Sequence, residues 1–195
     1  MRILMFFSIF ISLLFWGSYE QAYATSLNTL SLQLSQIDEI QAQYTSEKHL
    51  DNLDTTLNTQ GTFFISRSQG IILKQLEPFL MTLTAEDDLI KEETEDLESK
   101  NYTRKDSPEI FSIYDSIRDR IFNFNQQQLL KDFKLSFNDL GEQGYEMLLI
   151  PREESTVKLE YIKLRGLIFP NEIKYKISGD ETVMFFSNIN IKNKE

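Results

Sequence analysis

The chain has 195 residues, 41% of them apolar and none of them cysteine, and carries a formal net charge of −10 at pH 7. With no basic face to reverse it, that charge repels nucleic acid and anionic head groups, which excludes a nucleic-acid role. The missing cysteine leaves core packing, without disulfides, to hold the fold. It also removes the residue a bacterial lipoprotein needs at its cleavage site to receive lipid.

Arg2 precedes an almost unbroken apolar run, Ile3 to Trp16, followed by Gly17, Ser18 and the small-x-small triplet Ala22-Tyr23-Ala24. Basic, apolar and small residues in that order form a secretory signal peptide. The run falls short of the roughly 20 residues of a spanning helix, so cleavage after Ala24 is expected, with the mature protein starting at Thr25. Removing residues 1–24 leaves 171, the size of one domain with a full core.

Leu30, Leu34, Ile37, Ile40 and Tyr44 recur at spacings of three and four, which predicts an amphipathic helix capped near Thr25 or Ser26 and fading by Gln43. From Gln60 the pattern turns to short β-branched and aromatic segments with turn formers between them. Strands are predicted over 61–66, 71–76, 79–84 and 89–93, with turns at 67–70 and 86–88 and a break at Glu77-Pro78. Short links between successive strands imply an antiparallel meander. The acidic stretch Glu92 to Glu98 reads as a solvated loop. Ser107-Pro108 opens a second helix with the stripe Ile110, Phe111, Tyr114, Ile117 and Ile121, and a short third helix is predicted through Leu129, Leu130 and Phe133.

Strands resume over 135–138, 145–150 and 159–164, then Ile173, Tyr175 and Ile177 alternate with lysines as a half-buried strand. A turn at 178–180 leads to a strand over 183–187, and 190–195 read as a frayed tail. This layout is an α+β domain with helices segregated on one side of a curved antiparallel sheet.

His49 is the only histidine, and with no second histidine and no cysteine it lacks partners at ligand spacing, so it is read as a surface or rim residue and no metal or other cofactor is expected. Asp87/Asp88 and Glu92/Glu93 sit in hairpin tips and loops, where solvated charge is the simpler reading than an acid–base pair. Nucleophile elbows, phosphate-cradling loops and dinucleotide fingerprints are absent from the sequence. An enzyme is therefore not expected. Phe63 beside Phe64, Phe185 beside Phe186, and Ile71-Ile72-Leu73 make both faces of some strands apolar, so the sheet must be covered twice or line a cavity.

Three stretches resemble the LolA-like periplasmic carriers, in the branch found with lipid and aryl polyene biosynthesis systems. They are Tyr44 to Leu50 with Gly61 to Arg67 and Glu77-Pro78-Phe79; Tyr145 to Pro151; and Gly179-Asp180-Glu181-Thr182 running into Phe185-Phe186-Ser187-Asn188. The resemblance implies an unclosed, strongly curved antiparallel β-barrel with helices covering the open concave face, and an apolar interior that accepts acyl chains. It implies a monomer of the Gram-negative periplasm that takes an acylated cargo, a lipoprotein or other lipid, from an inner-membrane donor protein to an outer-membrane acceptor. An envelope sensor or interaction module on the same fold is the alternative.

Phe64, Ile71, Leu73, Phe79 and Leu83 are the expected cavity residues. Arg67 is the expected rim or gate residue, pairing with a polar head, with a turn arginine bonded to backbone carbonyls as the other reading. The sequence departs from better-known members in having Ser68, where they have proline, after the turn arginine, and Ile71, Ile72 and Leu73 in place of aromatics.

Overall fold

The computed structural model describes residues 26–95, 97–152 and 158–194. The signal peptide and the Thr25 start lie outside the described residues. Among these are three α-helices, α1 (Leu27–Ser35), α2 (Pro108–Phe122) and α3 (Gln126–Asp132). Eleven strands accompany them: β1 (Ile37–Leu50), β2 (Thr55–Ser66), β3 (Gly70–Glu77), β4 (Met81–Ala85), β5 (Leu89–Thr94), β6 (Leu97–Thr103), β7 (Phe133–Asp139), β8 (Tyr145–Pro151), β9 (Leu159–Gly166), β10 (Pro170–Ile177) and β11 (Asp180–Asn193).

The first helix is shorter than its apolar spacing predicts. Ser26 caps it, its side chain accepting from Thr29 N at 3.1 Å, and the helix ends at Ser35. Beyond Ile37 the buried residues Ile40, Ala42, Tyr44 and Ser46 alternate with exposed Gln41, Gln43, Thr45 and Glu47, a period of two that only a strand satisfies. Ile40 and Tyr44, four apart, fit both periods, and a bulge between Ile37 and Glu39 lets Ile37 stay buried as well.

Other boundaries move for similar reasons. The acidic loop is a hairpin, β5 into β6, with Glu92 opposite Lys100; an edge strand made of charged residues suits a position with one unpaired side. Phe79 and Leu80 form the loop before β4. Phe133 opens β7 instead of closing α3. The expected frayed tail is ordered as far as Asn193, because Asn190, Ile191, Lys192 and Asn193 pair with Gln41, Ile40, Glu39 and Ile37.

All eleven strands form one antiparallel sheet in the order β6-β5-β4-β3-β2-β1-β11-β10-β9-β8-β7. The first and last strands meet at its centre, where β1 pairs with both β2 and β11. Its two edges, β6 and β7, do not pair, so the barrel is unclosed, and the chain between them runs through α2 and α3. The sheet bends strongly. Phe63 on β2 stacks on Phe169 beside β10 with centroids 6.0 Å apart, and both contact Phe186. In a flat sheet two intervening strands would separate them by roughly 14 Å.

Register sorts the faces. Ile40, Ile65, Ile71, Ala85 and Ile90 lie opposite one another across β1 to β5, each at most 7% exposed. They form the core with Leu30 and Leu34 of α1 and Phe111, Tyr114 and Phe122 of α2. Across the sheet, Tyr145, Met147 and Leu149 are buried with Phe133 and with Leu129 of α3. The convex face carries the pairs Lys163–Glu146 (2.9 Å) and Lys174–Glu181 (2.6 Å). Gly144 fixes the β7–β8 turn at φ 89°, where an added Cβ would sit 2.0 Å from the Gly166 carbonyl oxygen.

Candidate functional site

Two rows of the concave face decide where a ligand can sit. The first, through Ile71, lies under the helices. The second runs Ala42, Phe63, Leu73, Leu83 across β1 to β4, and there Phe63, Leu73 and Leu83 are only partly buried. On the other side of the bend Met184, Ile173 and Leu164, in register with Ser46 of β1, and Ile162, beside Tyr175, are partly buried as well. Together they line an apolar trough that the three helices leave incompletely covered.

Of the expected cavity residues, Leu73 and Leu83 lie adjacent in this trough. Ile71 shares their face one row nearer the helices and is 7% exposed, within the core. Phe64 is placed differently: it pairs with Gln41 and Ile72, on the convex face, because successive residues of a strand point to opposite sides. There it lines a groove of about 460 Å³ with Gln41, Gln43, Thr62, Ile72 and Asn188. Phe79 lies outside the trough, 58% exposed in the β3–β4 loop. His49 is exposed near the end of β1. The trough residues from β9 to β11 went unnamed in the sequence reading. The alternation of Ile173 and Tyr175 was visible, but nothing in a strand pattern says which distant strand curves round to face it.

Arg67 sits in the β2–β3 turn with its guanidinium aimed back at the helices. Its Nε donates to the Ile37 carbonyl (2.8 Å), and Nη2 donates to the carbonyls of Ser35 (3.1 Å) and Phe122 (2.7 Å). Nη1 reaches Asn123 Oδ1 at 3.4 Å, and the plane lies 4.6 Å over the Phe122 ring. The ends of α1 and α2 each leave carbonyls without helical partners, and one arginine collects both. These are the backbone bonds of the turn-arginine reading, and they make Arg67 a clasp between the helices and the β2–β3 turn.

Two more arginines fasten α2. Arg118 donates to the Arg67 carbonyl (2.6 Å) and to Asp87 at the β4–β5 tip. Arg104 holds Asp115 (2.6 Å) and the Asp87 carbonyl (2.6 Å) while lying over Phe111. The Arg104 hydrogen bond keeps the Asp115 carboxyl below its ordinary pKa. A carboxyl depressed in the folded state stabilises fully above its unfolded pKa, and that contribution disappears as pH falls through the folded value. Stability is therefore expected to fall below about pH 4, and Asp115→Asn to make this acid limb shallower, as read from urea midpoints between pH 7 and pH 3.

Among the described residues no three His, Asp or Glu side chains gather as a metal would need, and no helix is long and apolar enough to cross a membrane. No protein-family pattern and no curated protein matches the chain. Solved structures to which it is similar include a LolA superfamily protein from Nitrosomonas europaea, at 10% identity over 88% of this chain and 96% of that one, with a TM-score of 0.42. The Mycobacterium tuberculosis lipoprotein LppX is similar at 12% identity over 85% and 97%, TM-score 0.40. The MucA/MucB complex of Pseudomonas aeruginosa gives 11% identity over 86% of this chain and 56% of that one, TM-score 0.43. The unclosed, curved antiparallel sheet with helices on its concave side is the layout expected from the sequence.

Proposed function

We propose that the protein is a periplasmic carrier that holds the acyl chains of a lipoprotein or other amphiphile in the concave trough, without covalent chemistry, and delivers them towards the outer membrane. The observation that carries this reading is the half-covered apolar face: Phe63, Leu73, Leu83, Met184, Ile173, Leu164 and Ile162 on one side of a sheet whose core row is already sealed by the helices. Each methylene buried there is worth about 0.8 kcal/mol, so roughly ten of them offset much of the cost of immobilising a cargo. The helices form the lid, and release of the Arg67 clasp opens it.

Donor and acceptor contacts belong, on the same reading, at the opposite end of the sheet. Leu53 (70% exposed), Leu57, Leu76, Phe79 and Leu80 are exposed there near the β1–β2 and β3–β4 ends, and exposed apolar side chains suit an interaction site. That tip is also what favours the second reading, an interaction module that carries nothing. Native mass spectrometry of protein purified from the periplasm separates the two. Co-purifying lipid that leaves on unfolding is the expected result; a folded protein empty across independent preparations would leave the interaction module standing.

A further inference from the structure

Below the trough the same concave face changes chemistry. Tyr44 and Ser46 of β1 and Thr182 of β11 are 4%, 9% and 4% exposed. By register Ser46 lies between Thr59 and Met184, and Thr182 between Lys48 and Tyr175. Tyr44 lies opposite Gly61, which puts no side chain between it and β3. Buried hydroxyls ordinarily find a hydrogen-bond partner, yet among the described residues those of Tyr44, Ser46 and Thr182 have none, and they are not sealed in the interior either. Three hydroxyls on residues more than nine-tenths buried thus open onto the concave side unpaired, next to the apolar rows. Burial also raises the Tyr44 pKa, so that hydroxyl stays protonated.

Charge is kept to the ends of this face. Lys48, opposite Thr182 in register, is already paired with Asp180 at 3.3 Å, and Glu92, opposite Leu83, and Lys100 belong to the strands at the β6 edge. A phosphate or carboxylate drawn into the hydroxyl band would lose its water and would have to compete with Asp180 for the one adjoining cation, Lys48, against the field of a chain whose net charge is −10. Hydroxyls both donate and accept, which suits ester carbonyls and alcohols equally.

We infer that the cargo has an uncharged, oxygen-bearing head of the acylglycerol type, seated on the Tyr44, Ser46 and Thr182 hydroxyls while its acyl chain runs up the trough past Leu73 and Leu83. This rests on the carrier reading and adds the class of head group. Removing matched hydroxyls from such a site costs selectivity more than general affinity, because the polar partners of the ligand are left unpaired.

The test is displacement of a head-group-free fluorescent alkyl probe by monopalmitoylglycerol and by palmitate, two competitors with the same chain. The wild type is expected to prefer the glyceride by about tenfold or more. The combined Tyr44→Phe, Ser46→Ala and Thr182→Val variant should lose that preference while binding the alkyl probe as before. Thr182→Val alone, nearly isosteric, guards against misfolding of the combined variant and should lose part of it. Equal affinity of the wild type for the two competitors, or full preference in a folded variant, overturns the inference and leaves the carrier reading intact. Failure of the wild type to bind the alkyl probe at all overturns both.

Discussion

Ile71→Glu is expected to unfold the domain, and Leu73→Glu, two residues along the same face, to leave it folded but unable to bind a fluorescent fatty-acid probe. The row of Ile71 is closed: Ile65 and Ala85 flank it at 0% and 3% exposure, and it packs in the helix-covered core. A carboxylate there has neither water nor a cation, a penalty of several kcal/mol in a domain whose total stability is of order 5–15 kcal/mol. Leu73 belongs to the half-covered row between Phe63 and Leu83, where a glutamate can turn its carboxylate to water. The charge then sits where the acyl chain must lie. Circular dichroism and probe titration on the two variants decide it. Loss of fold at both positions would make the second row ordinary core. Retained fold with unchanged binding at Leu73→Glu would move the acyl site elsewhere, with the convex groove of Phe64 and Ile72 the first place to look.

That pair of variants also shows what a sequence can and cannot say about such a sheet. Strands over 61–66 and 71–76 were legible because β-branched and aromatic residues cluster between turn formers, and Ile71 and Leu73 had to share a face. Phe64 was grouped with them on apolarity alone, and its partners Gln41 and Ile72 turn it to the convex side. The long strands at the centre were the hardest to read. Ile40 and Tyr44 satisfy a helical spacing and an alternating one together, and only pairing with both β2 and β11 selects the strand. The tail at 190–193 reads as polar and loose, but its backbone completes that central ladder. Arg67 was visible as a turn arginine. Its acceptors were not, since they are backbone carbonyls at Ser35 and Phe122 that carry no side-chain signature.

Arg67→Leu is expected to lower stability by roughly 3 kcal/mol and to make cargo exchange faster. The substitution removes the bonds to Ile37, Ser35 and Phe122 together. Hydrogen bonds to a charged group contribute about 1.5–3 kcal/mol each, but carbonyls at helix ends regain part of that by finding water. The net loss should exceed that of any one bond and stay below the sum of three. Because these bonds fix the last turns of α1 and α2 to the β2–β3 turn, their loss frees the lid in the folded state as well. Dissociation of a bound fatty-acid probe is accordingly expected to speed up by about tenfold, which takes only 1.4 kcal/mol off the opening barrier. Arg67→Lys keeps the charge without the planar fork that reaches several acceptors at once, so it should recover less than half of the lost stability. If Arg67 instead served to hold an anionic head at the rim, Arg67→Leu would leave the urea midpoint unchanged and weaken only anionic ligands. Urea unfolding and stopped-flow probe release on the same variant separate a clasp from a head-group site.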